Sequence, residues 1–387
     1  MTRILNKNRW APAPLRSRSR TALAGVAIAV ALVAASCGSS DTAEGEASTT
    51  TADAGTQDPA TTATEPTDGS EAADTTGEAE PGGGGLDVSL FADGALSGDV
   101  TTEACTLSGG VEATCNSITV SGYPSGYDVG PFCPDSIEDT AEDGGIWFDG
   151  DDVYELDGEF ITGLAELYDD DNWKMYDDEG NVLVTDTQEA FEGAARPDVE
   201  EQYQNHCVEG RLEWLDNGEP IESTVLIPTE PVRADEATSA QGNSGVTLDG
   251  VVIAPAAPVS AILGAYTIAS FDDCGGHFNP IEGYHLHGAV GCGTDTADEN
   301  SDPPIFGYAL DGYAVHTPFE DGGEPDDLDE CNGHTTDADG YHYHANSVEK
   351  NQVIQCLVGQ TVASDDVGAA GGPPDGGGPP DGGPPQG

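Results

Sequence analysis

The chain has 387 residues, of which 72 are acidic and only 11 are basic, so its formal net charge at pH 7 is −61. A charge of this sign argues against nucleic acids and anionic lipid headgroups as partners, because both would be repelled. The acidic residues are spread along the chain, which is typical of a protein kept soluble by its charge.

The first 36 residues have the pattern of an export signal. Six of the 11 basic side chains precede a short apolar run at 22–35, which is too short to span a bilayer comfortably. The run leads into Val33-Ala34-Ala35-Ser36-Cys37, which resembles a bacterial lipoprotein box except at position 34, where leucine is usual. We therefore predict an outward-facing membrane lipoprotein anchored through a lipid on Cys37, with secretion as a free protein as the alternative.

Composition divides the rest of the chain. Residues 37–97 carry few large apolar side chains and are predicted to form the lipidated start and a disordered acidic linker. A second segment of this kind, rich in glycine and proline, covers 365–387. Between them we predict a folded region with a β-rich N-terminal part at 98–240 and a C-terminal domain at 241–364.

The cysteines indicate disulfide bonds. Without Cys37 there are eight, and an even number in an exported chain favours four bridges, although eight cysteines allow 105 pairings. We predict pairing in chain order: Cys105–Cys115, Cys133–Cys207, Cys274–Cys292 and Cys331–Cys356. The last two bridges would each close one of the two C-terminal Cys/His segments. Cysteines paired in this way are structural and are not metal ligands.

Short strands between Asp, Gly and Pro turns dominate the folded region. A hairpin is expected around 108–110, and one helix at 187–195 with a further turn near 199–203. The other strand candidates, in chain order, are 117–120, 146–148, 153–154, 173–176, 182–184, 224–227 and 250–253. The predicted fold is mainly β with minor helix, stapled by disulfides.

An internal duplication stands out in the C-terminal part. Residues 272–287 and 329–344 both fit the pattern D-[DE]-C-x-G-H-x5-G-Y-H-x-H, with a constant offset of 57 residues. Each copy is a C-x2-H-x7-H-x-H unit, and together they hold six of the chain's eight histidines: His277, His285, His287, His334, His342 and His344. The other two, His206 and His316, are interpreted as ordinary core or surface residues.

The spacing of these histidines suits a metal ion. In a strand, the two histidines of an H-x-H segment point to the same face, and the upstream histidine can fold back as a third ligand. Three imidazoles fit zinc or copper, and the nearby acidic side chains could orient the rings from a second layer: Asp272, Asp273, Asp329 and Glu330. Two separate sites and one shared site both remain open. The acidic segments 149–152 and 337–340 resemble calcium loops only faintly.

Tyr341-His342-Tyr343-His344 is the signature after which the bacterial YHYH-domain proteins are named. The segments 306–313 and 327–334 look like further hallmarks of that family, and the resemblance extends upstream through 271–277 and into 105–232. It implies membership of the family but assigns no activity and no catalytic residues. This chain departs from the family pattern at Leu286 and at 314–317.

Three classes of function fit the sequence. The first is an exported cell-surface lipoprotein with a transition-metal site built from histidines, whose small-molecule or protein partner is open. The second is a metal-dependent enzyme, a hydrolase or oxidoreductase, that uses a three-histidine ion. The third is a structural or adhesion module without metal. The sequence shows no catalytic constellation beyond the histidines, which favours a binding protein over an enzyme.

Overall fold

The computed structural model describes residues 85–195, 198–215, 218–290, 292, 303–319 and 323–363. These residues belong to one compact unit. The predicted signal sequence, Cys37, most of the linker and the tail at 365–387 lie outside the described residues. Within the described part the protein is mainly β with a few short helices, as predicted.

Short strands make up most of the regular structure. In chain order they are β1 (Thr101–Thr106), β2 (Glu112–Val120), β3 (Ile146–Asp149), β4 (Asp152–Glu155), β5 (Cys207–Val208), β6 (Ser223–Pro228), β7 (Arg233–Ser239), β8 (Gly245–Thr247), β9 (Val252–Ile253), β10 (Ile268–Ala269), β11 (Gly276–Asn279), β12 (Gly283–Leu286), β13 (Ile305–Ala309), β14 (Ala314–His316), β15 (Gly333–Thr336), β16 (Gly340–His344) and β17 (Cys356–Gly359). The predicted segment 173–176 is not among them. Instead, Tyr176 forms an isolated bridge to Val182, and Val184 forms one to Cys207. Trp173 and Met175 are buried in the core.

The helices are α1 (Gly158–Leu167), α2 (Gln188–Ala194) and α3 (Val259–Gly264), with short 3-10 turns that include Glu201–Tyr203. The sequence predicted α2, which Thr187 caps through its side-chain oxygen. It missed α1, where the Asp157 carboxylate accepts a hydrogen bond from the Phe160 amide and so satisfies one unpaired donor of the first turn. Burial of Phe160, Ile161 and Leu164 then holds the helix in place.

An eight-stranded sheet carries both copies of the histidine unit. Its strand order is β11-β12-β9-β8-β13-β14-β16-β15. The two halves mirror each other about the central antiparallel pair β8–β13, in which Val246 lies opposite Tyr308. In each half a hairpin of the histidine unit pairs in parallel with the second strand of a preceding hairpin. The duplication therefore includes β8–β9 and β13–β14, beyond the segments recognised in the sequence.

The register of the sheet separates two chemical faces. His285 pairs with Val252, Val252 with Val246, and Val246 with Tyr308, so these side chains share one face. Ile118 and Val120 of β2 and Ile227 of β6 pack on the apolar centre of this face. The tyrosines of both histidine units point to the opposite face, into the largest core cluster. The histidines thus lie at the two ends of the first face.

All four predicted disulfides are confirmed with the predicted pairing. The predicted disordered linker, which ended at residue 97, extends too far along the chain. Ala95 is fully buried and Leu96 bridges to Val120, so the chain is already packed on the domain there.

Candidate metal centres

Each histidine unit is built on the same turn. Asp272 Oδ1 accepts hydrogen bonds from the Cys274 and Gly276 amides, both at 3.0 Å. Asp329 Oδ1 does the same with the Cys331 and Gly333 amides, at 2.9 and 3.0 Å. These bonds turn the chain into β11 and β15, and this explains why both copies of the repeat have the same spacing of Asp, Cys and Gly.

A tyrosine closes each turn from the neighbouring strand. Tyr284 Oη donates to Asp272 Oδ2 at 2.7 Å, and Tyr341 Oη donates to Asp329 Oδ2 at 2.8 Å. A Cβ atom on Gly276 or Gly333 would collide with the tyrosine ring, so only glycine fits there. Asp272 and Asp329 therefore bind tyrosine and backbone groups, which differs from the predicted role of orienting imidazoles. Asp273 and Glu330 are exposed at the surface.

The predicted histidines form two separate triplets. The ligand nitrogens of His277, His285 and His287 all lie within 4.8 Å of one another, as do those of His334, His342 and His344. In each hairpin the upstream histidine faces the first histidine of the H-x-H segment across the strand pair. Five interstrand steps separate β12 from β16, so the two triplets lie roughly 24 Å apart. The histidines therefore form two separate candidate sites and not one shared site.

Backbone carbonyls fix the rings of the H-x-H histidines. His285 Nδ1 lies 3.0 Å from Gly283 O, and His342 Nδ1 lies 3.1 Å from Gly340 O. The second histidine of each pair faces a carbonyl of the parallel neighbour, with His287 Nδ1 at 2.6 Å from Pro255 O and His344 Nδ1 at 3.5 Å from Thr317 O. Because a carbonyl only accepts, each of these Nδ1 atoms carries the proton and each Nε2 is left as a lone-pair donor.

The second triplet shows where these lone pairs point. His334 Nε2 lies 3.1 Å from His342 Nε2 and 3.3 Å from His344 Nε2. Nitrogens bound at about 2.0–2.1 Å to one tetrahedral ion lie about 3.3–3.4 Å from each other. In the first triplet, His287 Nε2 is buried and has no hydrogen-bond partner among the described residues. Both arrangements suit a cation, which would turn facing lone pairs into ligands.

Burial favours the neutral form of several of these imidazoles. Burial, together with the neighbouring His342 and His316, lowers the pKa of His344 to about 3. Burial also lowers the pKa of His277 and His287 well below the ordinary value, with His285 adding to the effect in both. Neutral imidazole is the form that binds a metal ion. His277, His287 and His344 can therefore bind an ion at neutral pH without first losing a proton.

The second triplet has neighbours that the first lacks. The His316 ring lies against that of His342 with centroids 4.3 Å apart, and Phe319 lies 3.9 Å from His344. His316 is a buried core residue, which is one of the two predicted possibilities, and it lies outside the groups of candidate ligands. The pairing of β14 with β16 places it opposite His344, beside the second triplet. His206 lies outside both triplets and contacts Gln204 O.

Among the described residues, these triplets are the groups of three or more candidate ligands close enough to hold an ion. The acidic segments at 149–152 and 337–340 form no such group in that part of the chain. In the same residues, no helix combines the length and apolar character needed to cross a membrane.

Comparison with known proteins confirms the family resemblance for part of the chain. Residues 224–326 match the model of the family described as YHYH protein. The match includes the first histidine unit and the segment 306–313, and it ends before Tyr341–His344. It begins earlier than the predicted domain boundary at 241. No curated protein and no solved structure matches the chain.

Proposed function

We propose that this protein, whose residues 224–326 match the model of the YHYH protein family, is an exported, lipid-anchored metal-binding protein with one transition ion in each triplet. The observation that carries the proposal is the approach of three Nε2 atoms in the second triplet, at 3.1 and 3.3 Å. With the Nδ1 atoms turned to acceptors, the three lone pairs repel one another unless a cation lies between them.

The donor set selects the class of ion. Each triplet offers three imidazole nitrogens, which suit zinc, copper or nickel, whereas calcium and magnesium prefer oxygen ligands. The four disulfides take up all eight cysteines of the folded domain, so no thiolate is added to either site. Zinc and copper are therefore the ions that we propose.

The disulfides also support the proposed location. Bridges of this number form and persist in an oxidising compartment, and are rare in the cytosol. The N-terminal signal pattern and the cysteine at position 37 support export followed by lipid attachment. The membrane is then a partner through this anchor.

Metal analysis of the full chain tests the proposal. The protein is purified by its native export route without a histidine tag, loaded with zinc, desalted and analysed by mass spectrometry. We expect about two ions per chain, since each triplet has one set of ligands of the zinc-binding type. The double substitutions His285→Ala/His287→Ala and His342→Ala/His344→Ala should each remove one ion.

His206→Ala is the matched control, because this histidine lies outside both triplets and should leave the metal content unchanged. A wild-type chain that retains no zinc and no copper after loading would contradict the proposal and favour a structural module. Loss of both ions in either double variant would contradict two independent sites.

A metal-dependent enzyme is the second candidate. Three nitrogen ligands leave the fourth position of a tetrahedral ion open to water, which is the arrangement of catalytic zinc sites. His277 is partly exposed and gives the first triplet contact with solvent. Hydrolysis of activated esters by the zinc-loaded protein, lost in His285→Ala/His287→Ala, would support this candidate.

A further inference from the structure

We propose that the two triplets bind their ions with different affinities, that the second triplet is the tighter one, and that Asp327 is the residue mainly responsible. This inference rests on the proposed function, since it concerns the same two sites. It follows from comparing the two copies of one unit within a single chain, where equal spacing holds the ligands constant and only their neighbours differ.

Asp327 contacts the upstream histidine of the second triplet. Its Oδ1 atom lies 3.2 Å from His334 Nδ1, while the His334 side chain is 6% exposed and the Asp327 side chain 68% exposed. A carboxylate that accepts the Nδ1 proton directs Nε2 toward the ion and makes the imidazole a stronger donor. All three rings of this triplet therefore have an oriented Nε2, two through carbonyls and one through a carboxylate.

The first triplet has no counterpart to this contact. The position 57 residues before Asp327 is Ser270, whose hydroxyl is directed to the Phe271 carbonyl at 3.4 Å. Among the described residues, the ring of His277 has no hydrogen-bond acceptor, and it lies instead against the Phe271 ring with centroids 4.5 Å apart. Its nitrogens are thus positioned by packing alone, and it is also the most exposed ligand.

The packing around the two triplets also differs in a way that favours tighter binding by the second triplet. His316 stands in the second copy where the first copy has Ala254, as the pairing of β14 with β16 and the hydrogen bond from Ala254 N to Leu286 O show. The ring of His316 therefore supports His342, and a small side chain occupies the corresponding place beside β12. Rings already held in their binding orientation lose less conformational freedom when the ion enters.

Zinc competition against a chromogenic chelator tests the inference on the oxidised, untagged full chain. His285→Ala/His287→Ala leaves only the second triplet, and His342→Ala/His344→Ala leaves only the first. We expect the second triplet to bind zinc roughly 10–100-fold more tightly, which is the range over which outer-layer partners change metal affinity. Equal affinities, or a tighter first triplet, would overturn the inference and leave the proposed function standing.

The role of Asp327 is tested in the chain that keeps only the second triplet. Asp327→Asn should weaken zinc binding roughly 10-fold or more, and Asp327→Glu should restore most of it, because a carboxylate is again available to His334. Asp326→Asn is the matched control, since it removes the same charge one residue away. If Asp327→Asn and Asp326→Asn bind zinc equally well, Asp327 has no such role.

Two further measurements distinguish the possible causes of a loss of zinc binding. The unfolding midpoint of the metal-free protein should be the same in Asp327→Asn and Asp326→Asn, because Asp327 is exposed and acts on the ligand. A lower midpoint for Asp327→Asn alone would indicate a structural role and overturn the inference. Failure of every form, wild type included, to bind zinc or copper would contradict the proposed function itself.

Discussion

Tyr343→Phe should destabilise the domain far more than Tyr341→Phe, although the two tyrosines belong to the same strand and point to the same face. Tyr343 Oη donates to Asp311 Oδ2 at 2.5 Å and accepts from the Val358 amide at 2.7 Å, and all these groups are buried. Tyr341 Oη donates to Asp329, whose side chain is exposed and can bind water instead.

The expected magnitude follows from the groups left without a partner. Tyr343→Phe strands the buried Val358 N–H and removes one of the donors to the buried Asp311 carboxyl group, at about 1–3 kcal/mol for each group. The total loss in the free energy of unfolding is therefore about 3 kcal/mol, whereas Tyr341→Phe should cost about 1 kcal/mol, the net value of one solvent-accessible hydrogen bond.

Denaturant unfolding at pH 7, with the disulfides intact and a chelator present, measures both free energies. The dependence on denaturant should be unchanged, since the same surface is exposed on unfolding. If the two variants lose stability equally to within about 0.5 kcal/mol, which is the usual effect of a neutral surface change, the buried network around Asp311 does not contribute as its geometry indicates.

Four further predictions concern pH, metal, cysteines and the anchor. Burial raises the pKa of Asp311 to about 6, above its ordinary value, so this group favours the folded state below about pH 4 and the contribution is lost as pH rises through about 6. Asp311→Asn should therefore reduce the loss of stability between pH 4 and 7 in the metal-free protein by about 3 kcal/mol; an unchanged slope in denaturant titrations at several pH values would contradict this. Free zinc at a hundred times its dissociation constant should add about 2.7 kcal/mol to the free energy of unfolding for each occupied triplet, an increment that each histidine double variant loses in part and that a chelator abolishes. A Cys37→Ala chain, denatured without reduction, should show no reactive thiol in a colorimetric assay, and two or more thiols would contradict the pairing of the remaining eight cysteines. The same Cys37→Ala substitution should release the protein to the medium or leave its signal uncleaved, and a normally processed variant that stays in the membrane fraction would rule out lipid attachment at this residue.

The sequence predicted both triplets because the information was local. The pattern of the repeat fixes a turn at Asp272 or Asp329, and strand alternation brings two histidines to one face. The position of His316 beside the second triplet was not predicted, because His316 belongs to a part of the duplication in which the two copies are separated by a different number of residues. Leu248-Asp249-Gly250 recurs as Leu310-Asp311-Gly312 after 62 residues and not 57, since the connection from β9 to β11 is longer than that from β14 to β15.

The groups that orient the imidazoles could not be predicted from residue identity. The groups that orient most of the imidazoles are backbone carbonyls such as Gly283 O and Pro255 O, and any residue supplies one. The acidic residues nearest in sequence were the natural candidates for this role, but Asp272 and Asp329 are taken up by the turn and the tyrosine. The strand predicted at 173–176 is reduced to a single bridge at Tyr176, while the side chain of Trp173 is buried in the core.

The central β8–β13 pair gives the sheet the symmetry of an assembly of two subunits. Val246 and Tyr308 lie opposite each other at the centre of the pseudo-symmetry, which is the contact that two identical subunits make across a two-fold axis. A single four-stranded half would present an unpaired edge strand at this position. The sheet therefore has the form of a homodimer whose subunits have been fused into one chain. In a homodimer every substitution appears in both subunits, whereas in this single chain one half carries Ala254 and Ser270 while the other carries His316 and Asp327.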